Sequence, residues 1–372
     1  MLVEKLENPM HAKLSALIIG LLFCSMATAR AFAQAEAQKT AYSESESYAP
    51  RQFAAKYKTK KRKKKESESS KQTSLNSGPL TIAVSVLDRD GNAVTDLTES
   101  EIKIYVDEIE TKATAPQKQT DPVNLILLVD TSPSAGTSEK HIRLTAAAIV
   151  KGLDPRSSVT VVGFNKDTKI HLKESVDRKK IDKVIKDLDT GDGTSFYEAL
   201  RFVSEKVLPT AKAPSVVIVL TDGVDTTSIL GYEESLLHAE MGNTPIYSVY
   251  FDTFDSILNL NKNLGASGIR RIPLPQGFPM PSGPSPESYA LGKMYLNDLA
   301  LLSGGRVLES YEFDTGNTVN IGDELSNRYF VTIDGITGVA GVRKSIKIRI
   351  NRPGLTVLAK GSYLFTEGDP SQ

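Results

Sequence analysis

The sequence predicts an α/β domain with an open, mainly parallel sheet and helices on both faces, inserted into a small β-sandwich formed by N- and C-terminal strands. Three observations predict it. Runs such as Leu125 to Val129 and Val216 to Leu220 are continuously apolar, which marks strands buried on both faces. Helical periods alternate with these runs, which implies right-handed crossovers and a parallel sheet. The flanking segments instead alternate apolar with polar residues, as half-buried strands do.

The 372 residues leave room for one large domain and a smaller companion. The N-terminus carries Lys13, then an apolar run from Leu14 through Cys24 to Ala27, then Ala31-Phe-Ala33 before Gln34. That order is a secretory leader spanning 1–33, and the run is too short to cross a bilayer comfortably. Initiation at Met10 gives the more usual basic start. Bulky Phe23 argues against a lipoprotein signal at Cys24, the only cysteine, which would leave with the leader. The expected destination is secreted, periplasmic or cell-envelope, with no disulfide in the mature chain.

Residues 34–78 hold few large apolar side chains and predict a disordered spacer. Net charge is zero, but Lys56 to Lys65 are nearly all basic. In an exported chain this tract is a solvated arm suited to anionic lipid or envelope polymer. Nucleic acid is disfavoured, because no aromatic stacking platform follows.

Order is expected from Leu80. Leu80 to Leu87 and Ile102 to Val106 alternate, with a hairpin-turn signal at Asp88-Arg-Asp-Gly91. Two short strands are not stable alone. Their partners are found after Arg328: Tyr329 to Ile333, Ser345 to Ile350, Thr356 to Leu358 and Tyr363 to Phe365. The predicted organisation is therefore 79–118 and 328–368 as the two halves of the sandwich, and 119–327 as the α/β domain. Within the latter, strands are expected at Leu125, Val159, Val216, Ile246 and Arg306 to Glu309. Helices are expected around Ile142 to Val150, Arg178 to Leu188, Tyr197 to Val207, Tyr232 to Met241 and Tyr289 to Leu302. Residues 259–286, rich in Gly, Pro and Asn, read as a long exposed loop.

Three segments carry chemistry. Asp130-Thr-Ser132-Pro-Ser134 and Thr221-Asp222-Gly223 each directly follow a buried strand, and Gly191-Asp-Gly-Thr194 precedes a helix. Ligands of open α/β sheets bind beyond the carboxyl ends of the strands, where all three would meet. In extended backbone alternate side chains share a side, so Asp130, Ser132 and Ser134 can face one point. Two carboxylates and three hydroxyls form an all-oxygen set suited to a hard cation such as Mg²⁺ or Mn²⁺. Asp-x-Ser-x-Ser alone is a common pattern, equally at home in turns and helix caps, and the capping role suits Ser138 better. The coincidence of three such segments, each at its required place, is much rarer.

These residues resemble, position by position, the metal-ion-dependent adhesion site of von Willebrand factor A domains. The resemblance implies that Ser132, Ser134 and Thr194 contact the metal and that Asp130 and Asp222 act through water. Asp88-Arg-Asp-Gly-Asn-Ala-Val-Thr-Asp-Leu-Thr, Leu302-Ser-Gly-Gly-Arg-Val, and Arg352-Pro-Gly-Leu-Thr-Val before Gly361-Ser-Tyr363 are similar to a family of exported bacterial A-domain proteins, over about 79–366. The stretch before Arg328 is short for that family's final helix. The implied function is adhesion or protein interaction, through a partner carboxylate bound to the metal. An alternative is a structural envelope-assembly component whose metal only orders loops.

An enzyme is disfavoured. HExxH, CxxC, G-x-S-x-G and phosphate-loop motifs are absent from the sequence, and His11, His141, His171 and His238 lack ligand or triad spacing. Asp192 and Asp225, beside the metal segments, read as turn residues.

Overall fold

The computed structural model describes residues 74–76, 78–136, 138–254, 285–313 and 321–365. The leader, the basic tract and nearly all of the Pro-rich 259–286 stretch lie outside the described residues.

The N-terminal strands are β1 (Ser74–Asn76), β2 (Leu80–Leu87), β3 (Ile102–Val106), β4 (Ile109–Thr111) and β5 (Gln117–Lys118). The α/β region follows with β6 (Asn124–Asp130), α1 (Glu139–Gly152), β7 (Ser158–Phe164), β8 (Thr168–Ser175), α2 (Arg178–Lys186), α3 (Phe196–Phe202), β9 (Ser215–Thr221), α4 (Tyr232–Met241), β10 (Ile246–Tyr250), α5 (Pro286–Ser303), β11 (Val307–Glu309) and α6 (Ile321–Ser326). The return strands are β12 (Tyr329–Ile333), β13 (Thr337–Val339), β14 (Arg343–Ile350), β15 (Thr356–Ala359) and β16 (Ser362–Leu364).

The central sheet runs β11-β10-β9-β6-β7-β8. All its pairings are parallel except β7 with β8. Every residue of β6 is buried. Period-two alternation divides its apolar side chains between two cores. Leu125, Leu127 and Val129 face a layer containing Ile142, Ile149, Ile181, Ile185, Ile321 and Leu325 from α1, α2 and α6. Ile126 and Leu128 face Phe196, Leu200, Leu236, Tyr295, Leu296 and Leu299 from α3, α4 and α5. Covering both faces is what permits, and requires, a strand with no polar interior positions.

The strands from the two chain ends make two four-stranded sheets, β15-β2-β12-β5 and β16-β14-β3-β4. Every pairing in them is antiparallel: β2 lies between β12 and β15, and β3 between β14 and β4. Their facing side chains share one core, including Ile82, Val84, Val86, Ile104, Val331, Ile333, Ile346 and Phe365.

Several expectations are corrected. The Asp88 turn does form, with Asp88 Oδ1 accepting from the amides of Asp90 and Asn92 at 2.9 Å. It closes only the Leu87–Ala93 bridge, because β2 and β3 belong to opposite sheets and so do not form a hairpin. Order begins before Leu80: β1 pairs with β13, so the expected spacer ends earlier than residue 78. The edge strand β8 was not expected. It has only Ile170 and Leu172 as large apolar residues among charged ones, so its apolar signal is weak. Ser138 stands at the α1 N-cap, but its side chain makes no capping bond.

At the entry to and exit from the α/β region, the chain is fastened to itself. Gln119 N donates to Arg328 O at 2.8 Å, and the buried Arg328 guanidinium donates to Gln119 Oε1 at 2.9 and 3.2 Å. The described part of the final helix α6 is Ile321–Ser326, and β12 starts at Tyr329.

Candidate metal centre

The candidate residues stand at the carboxyl ends of β6 and β9, which are neighbours in register, Val129 opposite Leu220. Asp130 ends β6, and Asp222 directly follows β9. Asp130, Asp222, Ser132 and Thr194 are each no more than 3% exposed. Ser134, half-buried, lies on the one-turn helix Pro133–Gly136.

Both carboxylates are held in the same way. Each Oδ1 accepts from the amide two residues on: Asp130 from Ser132 N at 2.9 Å, Asp222 from Val224 N at 3.0 Å. Each Oδ2 accepts from a buried threonine: Asp130 from Thr221 Oγ1 at 2.6 Å, Asp222 from Thr253 Oγ1 at 2.7 Å. Oriented on both oxygens, the two aspartates are fixed supports.

The serine hydroxyls join the carboxylates. Ser132 hydrogen-bonds Asp130, and Ser134 hydrogen-bonds Asp222. Each hydroxyl has one proton, and a carboxylate can only accept it. The two serine oxygens lie 3.1 Å apart, within hydrogen-bond distance of each other, and each keeps a lone pair for a third body. Neighbouring corners of an octahedron with metal–oxygen bonds of ~2.1 Å are about 3.0 Å apart. The serine pair therefore fits two adjacent positions around a small divalent cation.

Electrostatics make the same demand. Burial, and then the charge of Asp222, push Asp130 above the ordinary carboxylate range. Burial also raises Asp222. Among the described residues, no arginine or lysine figures among the main influences on either carboxylate. Among the described residues no three His, Cys, Asp or Glu side chains converge to hold a metal, so any cation here would depend on the hydroxyls.

Thr194 reaches this crevice through its neighbours. Its amide donates to Thr226 Oγ1 at 3.0 Å, and its carbonyl accepts from the amides of Thr226 and Thr227 at 2.9 and 3.0 Å, all on the loop after Asp222. Gly191 N donates to Thr131 O at 2.9 Å, tying the same segment to the loop after β6. The structure thus links all three sequence segments, with Asp130, Ser132, Ser134 and Asp222 in one hydrogen-bonded chain, Thr194 tied to the loop after Asp222 and Gly191 tied to the loop after β6.

The two aspartates read as turn residues are structural here. Asp225 accepts from Tyr197 N and Ser228 N at 3.0 Å, orienting the start of α3. Asp192 is exposed, and its backbone carbonyl accepts from Lys166 N. Thr253 escaped sequence reading because it sits 31 residues after the carboxylate it holds.

Residues 125–224 match the family model of the von Willebrand factor type A domain. The α/β region is a domain of that type. Similar solved structures include BatB from Bacteroides thetaiotaomicron, 16% identical, covering 55% of this chain and 98% of that one with a TM-score of 0.38. A von Willebrand factor type A protein from Catenulispora acidiphila is 10% identical, with coverages of 79% and 76% and a TM-score of 0.39. Proximal thread matrix protein 1 from the mussel byssus, with a zinc-occupied MIDAS motif, is 14% identical, with coverages of 58% and 48% and a TM-score of 0.39. A search of curated proteins gives no match.

Proposed function

We propose that this chain is an exported, non-enzymatic interaction module that binds a partner's carboxylate through a divalent cation. Ser132, Ser134 and Thr194 would hold Mg²⁺ or Mn²⁺, with Asp130 and Asp222 acting through water. The observation that carries the reading is the serine pair 3.1 Å apart between two buried carboxylates that, among the described residues, have no arginine or lysine among the main influences on them. The match to the von Willebrand factor type A domain supports it. With three neutral donors, a bound cation keeps much of its charge for an Asp or Glu from outside, a charge-assisted contact. The loop Val224 to Ile229 and the segment Thr190 to Phe196 would select among acidic partners. Export rests on the leader-like N-terminus; no helix among the described residues is long and apolar enough to cross a membrane.

Calorimetry with Mn²⁺ tests the site: binding should be lost in Asp130→Ala and Thr194→Ala while the fold persists. Unchanged binding in both would refute it. Capture of partners from envelope extract, with and without chelator, tests the function. Melting on chelation without metal-dependent capture would instead favour an envelope-assembly component whose metal only orders loops.

A further inference from the structure

Asp222 is held from far along the chain. Thr253 Oγ1 donates to Asp222 Oδ2 and lies 3.0 Å from Tyr289 Oη. A threonine hydroxyl has a single proton. Thr253 gives it to Asp222, so Tyr289 is the donor in the second bond, and donation runs from Tyr289 through Thr253 to the carboxylate. Thr253 is 0% and Tyr289 5% exposed, so the relay is shielded from solvent.

Tyr289 belongs to α5, and Gly292, three residues on, shares its face of the helix. Gly292 touches the metal loop backbone to backbone. A Cβ on Gly292 would lie 2.7 Å from the carbonyl carbon and oxygen of Gly223. A Cβ on Gly223 would lie 2.8 Å from Gly292 O, and Gly223 also has φ +77°. Glycine is unfavourable inside an 18-residue helix. The close approach gives a reason for it.

We propose that helix α5 positions the metal loop, Tyr289 orienting the Asp222 carboxylate through Thr253 while Gly292 sets how closely Gly223 approaches. The affinity of the site for its cation is then set partly from α5. Tyr289, Thr253 and Gly292 give no atom to the cation; they are positioning residues. The inference rests on the metal reading above.

The test is Mn²⁺ titration of the full chain by calorimetry, with thermal melts in chelator to show that each variant is folded. Loss of an outer partner of a metal site weakens binding by about tenfold or more, and that is expected for Thr253→Val and for Gly292→Ala. Helix propensity alone would make Gly292→Ala favourable. Thr253→Ser keeps the hydroxyl and should stay within about twofold of the wild type, and Tyr289→Phe should fall between Ser and Val. Folded Thr253→Val and Gly292→Ala proteins that bind Mn²⁺ like the wild type overturn the proposal. If Gly292→Ala does not fold, the Thr253 pair decides: equal loss in Val and Ser also overturns it. A wild type that takes up no Mn²⁺ overturns the metal reading itself, whereas a binding wild type with indifferent variants overturns only the role of α5.

Discussion

Among the described residues, buried carboxylates occur in two places, and they are treated in opposite ways. Where the α/β domain meets the sandwich, Glu240 of α4 is 0% exposed, and Arg343 of β14 grips it with two bonds of 2.6 and 2.7 Å. Ser362 Oγ adds a third at 2.6 Å, and Lys360 Nζ donates to the carbonyls of Glu240 and Gly242. Glu324 of α6 is gripped similarly by Arg306, and Tyr247 Oη donates to it at 2.7 Å. In the crevice, Asp130 and Asp222 have amides and hydroxyls but, among the described residues, no cationic partner. Closed charge fastens the two halves of the molecule together; open charge is what a ligand can use.

The largest expected effect lies at the junction. Glu240→Ala strands Arg343 and Ser362 without their carboxylate. Breaking a buried pair costs about 3–5 kcal/mol, and ~3 kcal/mol is expected here because Arg343 is partly exposed. Urea unfolding of the full chain measures it. A loss below ~1 kcal/mol would place this pair with ordinary surface pairs and break the comparison.

Metal should act more gently. Because the sheet supplies the core, the chelated protein should keep its far-ultraviolet circular dichroism. Mn²⁺ at tenfold above its dissociation constant should then add about 1.4 kcal/mol, roughly 3 °C in melting temperature. A chain that unfolds in chelator would mean that the crevice fastens the fold as the junction does.

Asp130→Asn should have the opposite sign to Glu240→Ala. In chelator it removes one of two like charges buried together, so the variant should gain about 1 kcal/mol while losing Mn²⁺ binding. Destabilisation instead would show that the pair is already compensated inside the protein.

How much of this could be read from sequence differs between the two places. The crevice could be read because its main residues lie at the ends of strands with unmistakable apolar runs, Leu125 to Val129 and Val216 to Leu220. Tyr232–Met241 and Tyr329–Ile333 take the bounds expected from their periodicity. The junction left no local signal. Glu240 and Arg343 are 103 residues apart, and each looks like a solvated charge on its own element. The same holds for Thr253 and Tyr289 behind Asp222, and for Gly292, which reads as an ordinary helix blemish until its neighbour is known. Contacts that depend on tertiary approach carry no periodicity.

The smallest expected effect marks where the crevice ends. Asp192 lies between Gly191 and Gly193, two residues before Thr194, and from sequence it reads as a turn residue, not as a ligand with a place in the crevice. The structure gives its side chain no such place: it is exposed, and the group it contributes to the loop is its carbonyl, accepting from Lys166 N at 2.8 Å. An exposed carboxylate can turn to solvent, and its attraction for a cation in the crevice is weakened by water and salt. Asp192→Asn keeps the backbone bond and removes only the charge. Stability should change by less than about 0.5 kcal/mol. Mn²⁺ affinity should change by no more than about twofold at 0.15 M salt, the loss growing modestly at low salt as a screened charge requires. A tenfold loss that persists at high salt would mean that Asp192 turns inward and joins the donor set. The crevice would then hold three carboxylates, with less positive charge left for an acidic partner.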